Sequence, residues 1–161
     1  MRYPNRVAGR TATPATASPD TLSVLHHLSF AVADLARSAA FYDATLSALG
    51  YVRVWADEKA IGYGPPGGGD KFAIKLIPNG VLVPGEGFHV AFSAPSRQAV
   101  GHFYNAALDH GGTDNGGSGL HPECGKHYYA AFVFDPDGYR VEAVINEEVR
   151  PESAGRIGMT S

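Results

Sequence analysis

The sequence predicts an α+β fold of two βαβββ modules whose strands form a U-shaped, eight-stranded mixed sheet around a concave cup. Three observations predict it. The chain matches itself at an offset of 62 residues. Each copy opens with an alternating strand that runs into an amphipathic helix. Short strand-like runs separated by Gly- and Pro-rich breaks follow each helix.

The repeat comes first, because a missed repeat misplaces every later element. Residues 27–50 align without a gap on residues 89–112, pairing His27 with His89, Phe30 with Phe92, Phe41 with Phe103, Tyr42 with Tyr104, Ala44 with Ala106, Leu46 with Leu108 and Gly50 with Gly112. Three aromatic pairs and a histidine pair within seven identities over 24 positions set this match apart from chance similarity of two amphipathic segments.

In the first opening strand Leu28, Phe30 and Val32 form an apolar face opposite His27, Ser29 and Ala31; in the second, Phe88, Val90 and Phe92 oppose His89, Ala91 and Ser93. The apolar faces need a cover, which the next segments supply. Asp34 is placed to cap a helix carrying Leu35, Ala39, Tyr42, Leu46 and Leu49, and Gly50 to end it. Ser96 and Gly111 or Gly112 bracket a second helix with Val100, Phe103, Tyr104, Ala107 and Leu108. The later strands are expected at Tyr51 to Trp55, Ala60 to Tyr63 and Lys71 to Ile77, then weakly near Thr113, and at Tyr128 to Phe134 and Tyr139 to Ile145. The histidine faces then point away from the helices and into whatever the sheet encloses.

A length of 161 residues suits one domain, expected over residues 22–149, with module 1 at about 24–80 and module 2 at about 86–147. Residues 1–21 are rich in Pro, Ala, Thr and Ser, lack hydrophobic periodicity and have no apolar stretch of signal-peptide type; they are expected to form a disordered tail, as are residues 150–161. No apolar run approaches bilayer length, so membrane insertion is not expected. A net charge of -3 with scattered Lys and Arg offers no stripe for phosphates, so the expected partner is a small molecule and not nucleic acid. The single cysteine, Cys124, fits a reducing cytoplasm. The run Gly64-Pro65-Pro66-Gly67-Gly68-Gly69-Asp70 has no following Gly-Lys-Ser/Thr and is expected to be a hairpin turn.

If equivalent strands face one cavity, His27 and His89 enter it from related positions. A third ligand is expected from the closing strand, where Glu142 alternates with Val141, Ala143 and Ile145 after the Asp135-Pro136-Asp137-Gly138 turn. Two imidazoles and a carboxylate leave coordination positions open on a divalent ion such as iron(II), manganese(II), zinc, nickel or cobalt. Taken singly, each of the three residues suits an ordinary structural role; their joint placement on the repeat points to metal.

The strings HHLSFAVADLARSAAFYDATLSALGY, FHVAFSA and AAFVFDPDGYRVEAV resemble the vicinal oxygen chelate superfamily, the glyoxalase/bleomycin-resistance/dioxygenase fold, over about residues 25–147. The resemblance implies paired βαβββ modules, a metal at His27, His89 and Glu142, and substrates with adjacent oxygens. It also implies a homodimer, in some members with the modules exchanged, so that His27 would share its metal with His89 and Glu142 of another chain.

Three departures bear on subfamily. Where glyoxalase I carries a fourth ligand, a glutamate, the equivalent place here is Lys75, whose ammonium does not ligate. Extradiol dioxygenases have a tyrosine three residues before the aspartate of the turn; here it is Phe132, which moves no proton. Fosfomycin transferases resemble the chain at Ser29 but differ at Phe132 and Gly87. Strand parity puts Tyr128 on the face of Phe132, so Tyr128 is the expected substitute proton donor. His127, and beside it His121, lie in or next to the Gly-rich stretch 111–126 and are candidate bases. Ser29 and Phe132 are expected to touch substrate. The sequence thus leads to a metal-dependent lyase, isomerase or dioxygenase, the competing class being a non-enzymatic module that sequesters a small molecule or antibiotic.

Overall fold

A computed structural model describes residues 24–148. The tails expected at 1–21 and 150–161 lie outside the described residues, as do the outermost residues of the expected domain. In chain order the elements are β1 (Leu28–Val32), α1 (Leu35–Ala48), β2 (Val52–Ala56), β3 (Ala60–Gly64), β4 (Phe72–Leu76), β5 (Val90–Ser93), α2 (Arg97–Asp109), β6 (Thr113–Asp114), β7 (Gly119–Leu120), β8 (Tyr128–Phe134) and β9 (Arg140–Asn146). Among the described residues no helix is long and apolar enough to cross a membrane.

The duplication is visible in the topology. The first sheet runs β1-β4-β3-β2 and the second β5-β9-β8-β6, with β7 also on β8. In each, the opening strand lies parallel to the last strand of its module, and the remaining pairs are antiparallel. The helix starts obey the caps read from sequence: the Asp34 carboxylate accepts from the Arg37 amide at 2.9 Å and the Ser96 hydroxyl from the Ala99 amide at 3.0 Å. Leu49 caps α1, and Gly50 follows at φ 88°, a left-handed value that a side chain would strain. Asp34→Ala and Ser96→Ala are each expected to cost about 1 kcal/mol, read as a lower urea midpoint at unchanged slope.

Two features differ from the expected sheet. The weak strand near Thr113 becomes two short strands, because Gly116 at φ 135° breaks the run; Asn115 and Gly116 still bond to Phe132 between them. The described residues therefore hold nine strands where eight were expected. These form two sheets, and β1 and β5, at their edges, do not pair with each other. The modules meet instead through α1 on α2 and through side chains. Tyr139 stacks on Phe30 with ring centres 4.0 Å apart and donates to the Ala31 carbonyl, while Tyr51 donates to the Ser93 carbonyl.

Both helices and both sheets contribute to one apolar core, centred on Phe30, Phe41, Tyr42, Phe72, Val100 and Phe103. The helix-to-helix contact explains why Phe41, outside the stripe read from sequence, is fully buried like its repeat partner Phe103. Leu108, read as part of the second stripe, is 41% exposed.

Candidate functional site

On the second sheet, the face turned away from α2 gathers several polar groups. β9 alternates, so Glu142 points opposite to Val141 and Ala143, and its neighbours in register are Ala91 on β5 and Phe132 on β8. Small Ala91 leaves space there, and His89, two residues earlier, fills it. His89 Nε2 comes within 3.0 Å of Glu142 Oε2. The carboxylate is 1% exposed while the imidazole is half exposed, so the pair lies at the mouth of the sheet face with the acid at its base.

The two carboxylate oxygens have different surroundings. Oε1 accepts a short hydrogen bond from the Tyr128 hydroxyl. Oε2 is buried without a hydrogen bond, because the approach of His89 lacks hydrogen-bonding direction. An imidazole nitrogen and a carboxylate oxygen 3.0 Å apart form a pair of neighbouring donor atoms that a bound cation could share. Burial, and then the hydrogen bond to Glu142, raise the Tyr128 phenol well above its usual pKa, so it keeps its proton and acts as a donor.

Around this group, Phe132 lies directly across from Glu142 and packs edge-on against the His121 ring at 5.1 Å. His121 itself pairs with Glu123 at 3.0 Å. His127 sits half-buried in the turn before β8, with no side-chain hydrogen bond among the described residues. Cys124 is exposed.

His27 is elsewhere. Its Nδ1 lies 2.8 Å from Nδ1 of His26, and the doublet is exposed at the start of β1. His27 and His89 both line a cavity of about 670 Å³, together with Leu28, Phe72, Phe88 and Phe92. Among the described residues, however, no three His, Cys, Asp or Glu side chains converge as a metal-binding group. The structure thus brings together His89, Glu142, Tyr128 and Phe132, and leaves His27, Ser29 and Lys75 on the first module.

His26, beside the expected ligand His27, is a site residue that the repeat does not single out, since its counterpart is Phe88. The direction of Trp55 is set by a β-bulge in β2, which strand alternation does not encode.

A family model for the Glyoxalase/Bleomycin resistance protein/Dioxygenase superfamily matches residues 24–143. The chain is similar to the crystal structure of a glyoxalase/bleomycin resistance protein from Albidiferax ferrireducens T118, at 30% identity and a TM-score of 0.65, covering 76% of this chain and 98% of that one. A glyoxalase-related enzyme from Fulvimarina pelagi is similar at 23% identity and a TM-score of 0.60, over 78% of this chain and 89% of its own. A domain from Frankia sp. EAN1pec, of the same description as the family, shares the fold at 18% identity and a TM-score of 0.58, over 79% and 100% of the two chains. None of the curated proteins matches. With a family model spanning most of its described residues and the duplicated topology beneath it, the chain belongs to the Glyoxalase/Bleomycin resistance protein/Dioxygenase superfamily.

Proposed function

We infer that the protein is a metal-dependent enzyme acting on a small oxygenated substrate by lyase, isomerase or dioxygenase chemistry. Its divalent ion would be held by His89 and Glu142 of one chain and His27 of a second copy. The observation that carries this is the buried Glu142 Oε2, which has no hydrogen bond and faces His89 Nε2. The donor set fits a divalent ion. Imidazole nitrogen and carboxylate oxygen each bind such ions at about 2.1 Å, and ligands in adjacent octahedral positions then stand about 3.0 Å apart.

The edges support the second copy. β1 and β5 each carry strand hydrogen bonds on one side only, and His27 and His89 sit at their starts. Unpaired edges are templates for another chain, and edge-to-edge association would complete the U-shaped, eight-position sheet and its cup.

When bound, the ion supplies an electrophile for oxygens on neighbouring carbons of a substrate. The chain's own residues prepare the site. Tyr128 fixes the rotation of the Glu142 carboxylate through Oε1, which leaves Oε2 free to bind. Phe132 offers an apolar wall and moves no proton, so proton transfer falls to a group outside its position, with Tyr128 and His127 the residues at hand.

Metal content per chain after supplementation tests this. A stoichiometric ion in wild type that is lost in His89→Ala supports it, and a metal-free wild type overturns it. The second reading, a sequestering module without metal, is favoured by the absence of three converging ligands within one described chain. That reading expects the metal-free wild type.

A further inference from the structure

The face of the first sheet turned away from α1 has a composition of its own. In register across the sheet run Trp55 on β2, Gly62 on β3, Ala73 on β4 and Ser29 on β1, with Ala60, Lys75 and Ala31 forming the next row. Small residues make the floor. Trp55 reaches this face only because the register of β2 slips between Arg53 and Trp55: Arg53 pairs with Tyr63 and Trp55 with Gly62. Arg53 is thereby sent to the helix side, where it is bound by Asp43. Trp55 is turned inward and lies over Gly62, whose absent Cβ would fall 2.2 Å from the indole nitrogen. The indole leans from β2 over β3 and remains 38% exposed.

Lys75 is the single charged side chain that the four strands place on this face, and it makes no ion pair or hydrogen bond among the described residues. Its strand lies two spacings from that of Trp55, about 10 Å, a gap the leaning indole and the flexible lysine stem narrow from both sides. Gly62, under the indole, and Ala73 beside it are buried, so the exposed side of the indole is the aromatic surface on which a flat group can stack, and an unpaired ammonium near its end attracts an anion.

We propose that this face is a recognition platform for a planar, negatively charged group of the substrate, an aromatic carboxylate in its simplest form, with the Trp55 indole stacking on the ring and the Lys75 ammonium pairing with the carboxylate. The proposal rests on the sheet faces being the cup of a small-molecule site, and it is independent of the metal. It assigns Lys75 the role of charge reader, and Gly62 that of the gap which lets the indole settle over the sheet.

Trp55 is the sole tryptophan of the chain, so fluorescence excited selectively at the indole reports on this face. Metal-stripped protein is titrated with benzoate, with cyclohexanecarboxylate as the non-planar control and benzamide as the uncharged one. A saturable change is expected with benzoate, with binding about tenfold weaker for each control and for Lys75→Met, a fold-change of about 1.4 kcal/mol. Gly62→Ala, which displaces the indole, is expected to weaken benzoate similarly at unchanged circular dichroism. No saturable response, or equal affinities for benzoate and cyclohexanecarboxylate, or an unaltered affinity in Lys75→Met, overturns the proposal. Because the titration is made without metal, its failure leaves the metal count standing, and a failed metal count leaves the platform standing.

Discussion

Replacing Asp135 by alanine is expected to destabilise the fold by about 4 kcal/mol, seen as a shifted urea midpoint, more than removal of any surface ion pair. Asp135 is 4% exposed. Its Oδ2 accepts from the fully buried Tyr42 hydroxyl at 2.6 Å, and its Oδ1 accepts from the Asp137 and Tyr139 amides, each at 2.9 Å. Alanine strands all three donors in a place where water does not replace the acceptor, and each such loss costs about 1.5 kcal/mol or more. Tyr42→Phe removes one donor and is expected to cost about 2 kcal/mol.

The pH dependence has a definite sign. Burial raises the Asp135 carboxyl above its usual 3.8, more than its hydrogen bonds lower it. A group raised on folding adds stability below its unfolded pKa and loses that addition as pH rises through the folded value. Wild type should therefore gain on Asp135→Asn as pH falls from neutral towards about 4, measured as the difference between their urea midpoints. A difference constant with pH, or one that widens towards neutral in favour of wild type, would contradict this.

The same turn shows where sequence stopped being informative. Asp135-Pro136-Asp137-Gly138 reads as a tight turn from its own residues, and Gly138 at φ 97° with its amide on the Asp135 carbonyl forms it. Nothing local shows that Asp137 reaches the start of α1, where it accepts from Arg37 at 2.7 Å, Ser38 at 3.1 Å and the Ala33 amide at 3.3 Å. Those partners lie about a hundred residues away in the chain, and no periodicity encodes them. The turn is thus a clasp between modules, and with Tyr139 against Phe30 it fixes which surfaces of the two modules meet in one chain.

The elements themselves were legible because strand and helix periods repeat at a constant offset. α1 begins at Leu35 and α2 at Arg97, and β1 begins at Leu28 and β5 at Val90, both 62 residues on. Strand parity also carried Tyr128 and Glu142 to one face, where they bond. Parity fails where a strand slips, and no sequence pattern announced the bulge that turns Trp55 inward; Gly62, which the indole requires, was its only trace. The placement of His27 was illegible for a different reason. A repeat states that two histidines occupy equivalent positions, and equivalence does not determine whether they share a cavity in one chain or across two.

Mixing two metal-free variants resolves that point. His27→Ala and Glu142→Ala are each expected to lose the ion, since each removes a ligand from every site. If ligands come from two chains, a mixed dimer joins the intact His27 of the Glu142→Ala chain to the intact His89 and Glu142 of the His27→Ala chain, and its other site is doubly broken. Random reassociation of equal amounts, after dissociation in mild denaturant, makes half the dimers mixed and restores about a quarter of an ion per chain. If all ligands come from one chain, every chain in the mixture stays defective and no metal returns. Two outcomes count against the shared centre: a mixture that stays empty while wild type treated in the same way reloads, and a His27→Ala variant that keeps its metal. A quarter restored, together with a dimeric elution volume, would make β1 and β5 the joined edges of the cup and explain why one chain holds half a site.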